Sequence, residues 1–433
     1  MNEMLLQFIW HQQLFNVWQL VTTKGEEISV VDPGLWNRNQ GPDFLHAKLV
    51  IGGQAWAGHV ELHVRTSEWQ VHGHHLDPNY ENVILHIVWE DDEPDEGACA
   101  VAALKDIVPE LILQKYHKWT WKQQLIPCEE DLAKVDSLVV MQYVHSLAEQ
   151  RMLQKAELVS TKVRALGMDW QEAFWQSLCR SFGHKVNADA FESIAASVPY
   201  QILLKLRNHP SQVEALLMGQ GGLLRPDTGD AYAKQLFTDY NFLRKKYRLS
   251  KSYVPVHFLR MRPVNFPTIR LAQLAMLIHD LPDLFRMVKE WKDPQMIRQI
   301  LKVGTSDYWE HHYRFNEPSV HQSKLVGDQL VNVLMVNTII PFIVAYHQHI
   351  GHTEQVNHAL QWTASLPAEA NSIVHAFSKA GVKVRHMKDA QGLLALHKMY
   401  CEKSACAECA IGKWHLKKIC ESHASVAVEI NGI

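Results

Sequence analysis

The chain has 433 residues, of which 47% are hydrophobic and 21% charged, with a formal net charge of −3. That length holds two or three domains with ample core, and the near-neutral balance excludes a histone-like polyanion binder while leaving room for a local basic patch. Residues 330–346 are apolar but interrupted by Asn332, Asn337 and Pro341, so no membrane span is expected. The N-terminus lacks a basic region followed by a small-residue cleavage site. Seven cysteines, four of them crowded near the C-terminus, do not resemble an extracellular disulfide framework. A cytoplasmic location follows as the expectation.

In chain order, residues 3–20 carry Leu5, Phe8, Ile9, Leu14, Phe15 and Trp18 at helical spacing. This predicts an amphipathic helix covering a sheet, with Trp10 and Trp18 in the core. Short strands are expected at 28–31, 43–51 and 56–64, the last two joined as a hairpin through Gly52-Gly53. Residues 82–89, NVILHIVW, form the clearest strand, being β-branched, nearly all apolar and bounded by turn residues. Between the hairpin and that strand lies a polar loop holding Trp69, His72, His74, His75, Asp77 and Tyr80 around Gly73 and Pro78. Six histidines (His59, His63, His72, His74, His75 and His86) fall within 28 positions, which suits a metal or proton-handling site or a polar sheet face. The acidic run Glu90–Glu96 is expected to be a solvated turn. A helix at 111–121 closes the first domain, 1–125.

Residues two apart in a strand share a face. Glu61 and His63 therefore project side by side, and the hairpin brings Asp43 back beside Glu61. Two carboxylates and an imidazole on one sheet edge suit a divalent cation such as Mg²⁺ or Mn²⁺. The pattern resembles the PD-(D/E)xK nuclease superfamily, with Pro42-Asp43 as the PD and Glu61-Leu62-His63 as the (D/E)xK. The resemblance implies metal-dependent phosphodiester hydrolysis, with Asp43 and Glu61 as metal ligands and His63 at the position usually held by lysine. It also implies an α-β-β-β-α-β core. A competing reading of the same histidines is a zinc site on His59, His63, His72 and His74.

From residue 126 onward strand signals nearly vanish. Segments 131–166, 170–182, 187–217, 229–248, 267–291, 294–303, 320–348, 354–365, 368–380 and 389–401 read as helices. The second domain, 126–433, is thus large, irregular and helical, and the fold class is α+β. Inside it Arg244, Lys245, Lys246 and Arg248 interleave with Tyr247, and Arg260, Arg262 and Arg270 follow. Cations with interleaved aromatics suit a nucleic acid; a helix C-terminus attracts cations for its dipole alone. At the end, Cys401-x4-Cys406-x2-Cys409 precedes Cys420. CxxC with further cysteines predicts a site for Zn²⁺ or an iron–sulfur cluster, with His397 or His415 as alternatives to Cys420. Cys99, Cys128 and Cys179 read as ordinary thiols.

The stretches GPDF, GHVELHV, HGHHLDPNYENVILHIVW, EALLMGQGGLL, RPVNFPTIRLAQLA and YCEKSACAECAIG together resemble the bacterial domain-of-unknown-function family 2851. That resemblance implies one evolved unit, a nuclease-like N-terminal part followed by helices. The function expected is a divalent-metal-dependent phosphodiesterase acting on nucleic acid. Its rival is a non-catalytic nucleic-acid or protein scaffold with a structural metal site.

Overall fold

The computed structural model describes residues 1–419 apart from residues 38, 94–98, 122–123, 227–229, 251–253, 260 and 291–292. With 58% helix and 12% strand it is an α+β protein, with a mixed sheet near the N-terminus and a large helical part after it. The chain divides into two compact units, and neither is one continuous segment. The first comprises Met1–Tyr143, Ser372–Lys383 and the residues from Leu394 onward; the second comprises Val144–Asn371 and Val384–Leu393. Residues 394–419 thus belong with the sheet, whereas the sequence reading places them with the helices.

The first unit is organised on a sheet. Its strands are β1 (Ile28–Asp32), β2 (Leu35–Trp36), β3 (Phe44–Ile51), β4 (Gln54–Arg65), β5 (Val83–Glu90) and β6 (Ala100–Ala103). They run in the order β1-β3-β4-β5-β6, with β2 also on β3. β3 and β4 form the expected hairpin, antiparallel through the pair Ile51 and Gln54. Gly52 and Gly53 turn it with φ of 55° and 84°, which favour residues without a Cβ. β4, β5 and β6 are parallel to one another. The crossover between β4 and β5 is short, built from α2 (Glu68–Val71) and two single 3-10 turns. Gly58 lets β4 lie close against the start of β5. A Cβ there would lie 2.5 Å from Ile84 Cγ2 and 2.6 Å from the Asn82 carbonyl. Gly58→Val is therefore expected to part the two strands and lower the urea midpoint of the first unit; an unchanged midpoint would show that the strand can shift freely.

Helix α1 (Glu3–Gln12) buries Leu5, Leu6, Phe8, Ile9 and Trp10 against the sheet. The expected helix to residue 20 stops early because Gln13 is left-handed, with φ of 51°. Asn16 then caps a separate 3-10 turn, Val17–Gln19. Trp18 is consequently 93% exposed, not a core residue as its spacing suggested. Strand β6 was not expected, since a run of alanine and valine this short carries little strand signal. Helix α3 (Glu110–Trp121) buries Ile112, Tyr116 and Trp119 as the pattern implied.

The second unit is helical around one apolar core. The span expected as one helix at 187–217 is three: His184–Ser197, Tyr200–Leu206 and Pro210–Gln220. Pro199 and Pro210 sit at the breaks, where a missing N–H and a fixed φ end one helix and start the next. Asn332, Asn337 and Pro341 do not interrupt the apolar run as expected. Asp328–His349 is a continuous helical stretch, long and apolar enough to cross a bilayer, and 78% of its most apolar window is buried within the protein. It absorbs Pro341 through a π-helical turn, Met335–Ile339, where Lys155 Nζ donates to Val336 O at 3.3 Å and to Asn337 Oδ1 at 2.7 Å.

Candidate metal centre

The hairpin register brings the two acids together. Phe44 on β3 faces Val60 on β4, so Asp43 and Glu61 are neighbours at the strand ends. The Asp43 N–H donates to Glu61 Oε2 at 2.9 Å, and the Leu62 N–H donates to Asp43 Oδ2 at 3.1 Å. Gln7 on α1 donates its Nε2 to Asp43 Oδ1 at 2.7 Å. Glu61 is only 5% exposed. Burial first, then the charge of Asp43, raises its carboxyl far above the usual range, and burial likewise raises Asp43. Two acids held this close and this dry favour sharing a proton or taking a cation.

The remaining oxygen, Glu61 Oε1, faces imidazoles. It lies 3.4 Å from His74 Nε2 and 3.7 Å from His63 Nε2. His63 in turn touches two further rings: its Nδ1 is 2.9 Å from His86 Nε2 and its Nε2 is 3.1 Å from His72 Nδ1. Ligand atoms of His63, His72 and His74 all lie within 4.8 Å of one another, the one such trio of metal-ligating side chains found among the described residues. Parallel pairing explains the His63–His86 contact, because Glu61 lies beside His86 in the register of β4 and β5. His72 and His74 come from the crossover, which Gly73 turns with φ of 72°. Trp69, buried on α2, packs against His63, His74 and His86, and Tyr80 stacks on His74 with centroids 3.9 Å apart.

Burial keeps His63 and His86 neutral at physiological pH. Burial, then His86, His74 and His72, pushes His63 down to about 3, and burial with His74 pushes His86 to about 4. His74 is lowered by burial and by His72. Neutral imidazoles offer lone pairs, and a proton on His63 Nδ1 donated to His86 leaves Nε2 open toward Glu61 and His72. Three nitrogens within 4.8 Å of one another, with Glu61 Oε1 beside two of them and a buried His74 Nε2 that has no hydrogen-bond partner, fit a divalent transition metal. His59 takes no part in this set. Its Nδ1 accepts from the His46 N–H at 3.3 Å, four residues up the strand from His63.

Residues 3–372 match the family described as Protein of unknown function (DUF2851). The chain belongs to that family. The search of curated proteins found no match, and neither did the search of solved structures. In this DUF2851 protein the matched stretch includes all the acids and imidazoles above and ends before Cys401.

The other residues singled out in the DUF2851 sequence lie apart from this centre. Lys245, Lys246 and Arg248 are exposed at the end of the helix Ala231–Lys246 in the second unit, and Arg244 is half-buried. Lys246 stands over the Phe242 and Tyr247 rings at 5.8 and 5.3 Å. Arg262 is described and Arg260 lies outside the described residues. Arg270 is buried, donating to Gln273 Oε1 at 2.8 Å and Asn265 Oδ1 at 2.5 Å, so it is a packing residue and not a contact for a polyanion. Cys401, Cys406 and Cys409 lie in the first unit, and Cys420 falls outside the described residues. His415 is buried against Trp119, with ring centroids 5.7 Å apart. Sequence reasoning did not assign Gln7, Trp69, Tyr80 or His86 to the Asp43–Glu61 site. For His86 the signal existed, since a histidine in an otherwise apolar central strand needs a partner.

Proposed function

We propose that the first unit is a divalent-metal-dependent, nuclease-like phosphodiesterase acting on nucleic acid. One observation carries the reading: on the central strand β4, and not at a sheet edge as the sequence suggested, Glu61 and His63 meet His72 and His74 from the crossover, and Asp43 is hydrogen-bonded to the same strand. The helix, three-strand hairpin region, short crossover and parallel strand follow the order of the PD-(D/E)xK core, which supports phosphodiester chemistry over other metal-assisted hydrolyses. His63 stands in the lysine position of that motif.

The donor set favours Mn²⁺ or Zn²⁺ over Mg²⁺, because three imidazole nitrogens suit borderline metals and Mg²⁺ prefers oxygen. When bound, such an ion supplies Lewis-acid charge at the phosphoryl group and a nucleophilic water near neutral pH. Glu61 Oε1 and the nitrogens of His63, His72 and His74 would hold it. Gln7 and the Leu62 N–H fix Asp43, and Asp43 fixes Glu61 through its own N–H. His86 orients the His63 ring. His72 is the exposed member of the trio, 3.1 Å from His63 Nε2, and puts one donor of the site at the solvent boundary. Lys245, Lys246 and Arg248 would hold the polyanion in the second unit.

The test is cleavage of labelled single- and double-stranded DNA and RNA with Mn²⁺, Zn²⁺ or Mg²⁺ supplied separately. Cleavage with Mn²⁺ or Zn²⁺ that falls by orders of magnitude in Glu61→Gln is expected. Charge reversal at Lys245, Lys246 and Arg248 should weaken binding and flatten its salt dependence. Binding without cleavage by any ion would replace this reading with the scaffold; neither binding nor cleavage would reject both.

A further inference from the structure

A cavity of about 730 Å³ opens within the second unit. The start of the helix His184–Ser197, the loop residues 261–265, the apolar stretch Asp328–His349 and residues 368–370 all line it. Its rim is fixed by local backbone chemistry. Gly183 joins two helices closely, since a Cβ on it would lie 2.3 Å from the Asn187 carbonyl oxygen. His184 follows with φ of 52°, a left-handed state that costs a residue with a Cβ and that collects at ligand sites. Asn187, 1% exposed, then fastens the incoming loop. Its Nδ2 donates to His257 O at 2.9 Å, and its Oδ1 accepts the His257 N–H at 2.8 Å. Met261 Sδ lies 3.5 Å from the same Nδ2, so the loop is held where Met261 and Arg262 meet the cavity.

The lining is rich in cations and short of partners. Lys185 and Arg262 are exposed, and neither pairs with a carboxylate among the described residues. Glu369 is the one acid on the described lining, and its Oε2 already accepts from Gln391 Nε2 at 3.0 Å. Behind the wall stands Arg270, 6% exposed. Its acceptors are the neutral amides of Gln273 and Asn265, and its Nε has no partner. A buried guanidinium without a counter-ion is costly, and burial accordingly lowers Arg270 to about 10. Two further buried atoms without partners, His184 Nε2 and Asn332 Oδ1, belong to residues of the lining itself. Burial and Arg270 push His184 down to about 4, so its ring is neutral and can donate from Nε2. The Asn332 amide, turned over, presents Nδ2 instead. Native proteins leave few buried polar groups unmet, and those met here lack acceptors and negative charge.

We propose that this cavity binds a small phosphate-bearing molecule, with the phosphate held by Lys185, Arg262 and His184 and the uncharged part against Val186, Met261 and Val333. A phosphate brings three acceptor oxygens and close to two negative charges, which a carboxylate does not match. The volume suits more than a bare ion, since small-molecule pockets run to roughly 300–1,000 Å³. Arg270 does not touch the ligand; it holds the wall through Asn265 and adds charge from behind. The site also accounts for Asn332, a polar residue inside an apolar helical stretch. It is separate from the histidine centre and does not rest on the phosphodiesterase reading.

The experiment is calorimetric titration of the full-length protein, at constant ionic strength, with inorganic phosphate and separately with adenosine 5′-monophosphate. Sodium chloride is the control anion. Millimolar or tighter binding of both is expected, with the monophosphate the tighter. Lys185→Ala and Arg262→Ala should each weaken phosphate about tenfold, the worth of one hydrogen bond to a charged group. Both side chains are exposed, so these variants should keep the wild-type circular dichroism and melting temperature. Lys205→Ala, which removes an exposed cation of the same unit outside the lining, should leave the affinity unchanged. Phosphate bound no better than chloride would overturn the site, and so would binding that survives the Lys185→Ala/Arg262→Ala double variant. An equal loss in Lys205→Ala would reduce the effect to general surface charge. Equal affinity for phosphate and the monophosphate would overturn the role of Val186, Met261 and Val333 and leave free phosphate as the ligand.

Discussion

Glu61→Gln is expected to abolish high-affinity Mn²⁺ or Zn²⁺ binding and, in chelated protein, to raise stability at alkaline pH. Both results follow from one geometry. The carboxylate of Glu61 is the anionic member of the donor set, facing His74 at 3.4 Å and His63 at 3.7 Å, and the amide of glutamine cannot replace its charge. Burial and Asp43 raise Glu61 to about 9, so the folded, metal-free protein keeps a proton that the unfolded chain releases near the ordinary glutamate value of 4.5. A raised carboxyl favours the folded state below the unfolded pKa, and that contribution is lost as pH rises through the folded one. His63 and His86 are already uncharged well below this range, whereas Glu61 titrates within it. The chelated wild type should therefore lose stability from pH 7 to 9, by up to about 1.4 kcal/mol per pH unit for one proton. Thermal melts with chelator and with Mn²⁺ across that range decide the matter. An equal slope in Glu61→Gln, or metal-induced stabilisation that survives it, would remove Glu61 from the centre. His63→Lys is a sharper probe of the donor set. Restoring the residue usual in the PD-(D/E)xK motif would place an ammonium among three imidazoles and delete one nitrogen, so metal binding should fall even though Asp43 and Glu61 remain.

Glu214→Leu is expected to destabilise the second unit by about 3 kcal/mol or more, since buried donors left without an acceptor cost about 1–3 kcal/mol each. Glu214 is 2% exposed and accepts from Trp309 Nε1 at 2.6 Å, the Tyr232 hydroxyl at 3.0 Å and Ser306 Oγ at 3.2 Å. Burial outweighs those three bonds and raises its pKa from 4.5 to about 7. Its contribution to folding is complete below pH 4.5 and declines as pH rises through 7. Glu214→Gln keeps an acceptor and cannot ionise, so it should retain most of the stability and flatten the pH dependence between 5 and 7. Chemical unfolding of wild type and both variants at several pH values tests this. A Gln variant with the wild-type pH slope would show that the carboxyl is already ionised in the folded protein.

The legible parts of this molecule were those with a regular period. The alternation through β3, Gly52-Gly53 and β4 predicted the hairpin, and with it the meeting of Asp43, Glu61 and His63. The strand 83–90 was plain because it is apolar and β-branched. What stayed out of reach was the loop. Its residues have no period, so His72 and His74 read as one alternative among several until the crossover placed them beside His63. Where a pattern failed outright, a single backbone state decided. Trp18 has the spacing of a core residue, and the left-handed Gln13 turned it out of the helix.

The interrupted first unit has a consequence for synthesis. Its sheet is complete at Tyr143, but its last segment begins only at Leu394, some 250 residues later. At roughly 5–20 residues per second, the ribosome needs about ten to fifty seconds to supply it. Throughout that interval the second unit can begin to form while the sheet waits. Buried positions of the final helix such as Ile411, His415 and Leu416 do not yet exist, and Lys413 has not yet reached the Phe8 and Trp36 rings. A nascent chain of this protein therefore displays apolar surface on its earliest part longest, and a chain stopped near residue 390 would carry every acid and imidazole of the centre on a unit that cannot close.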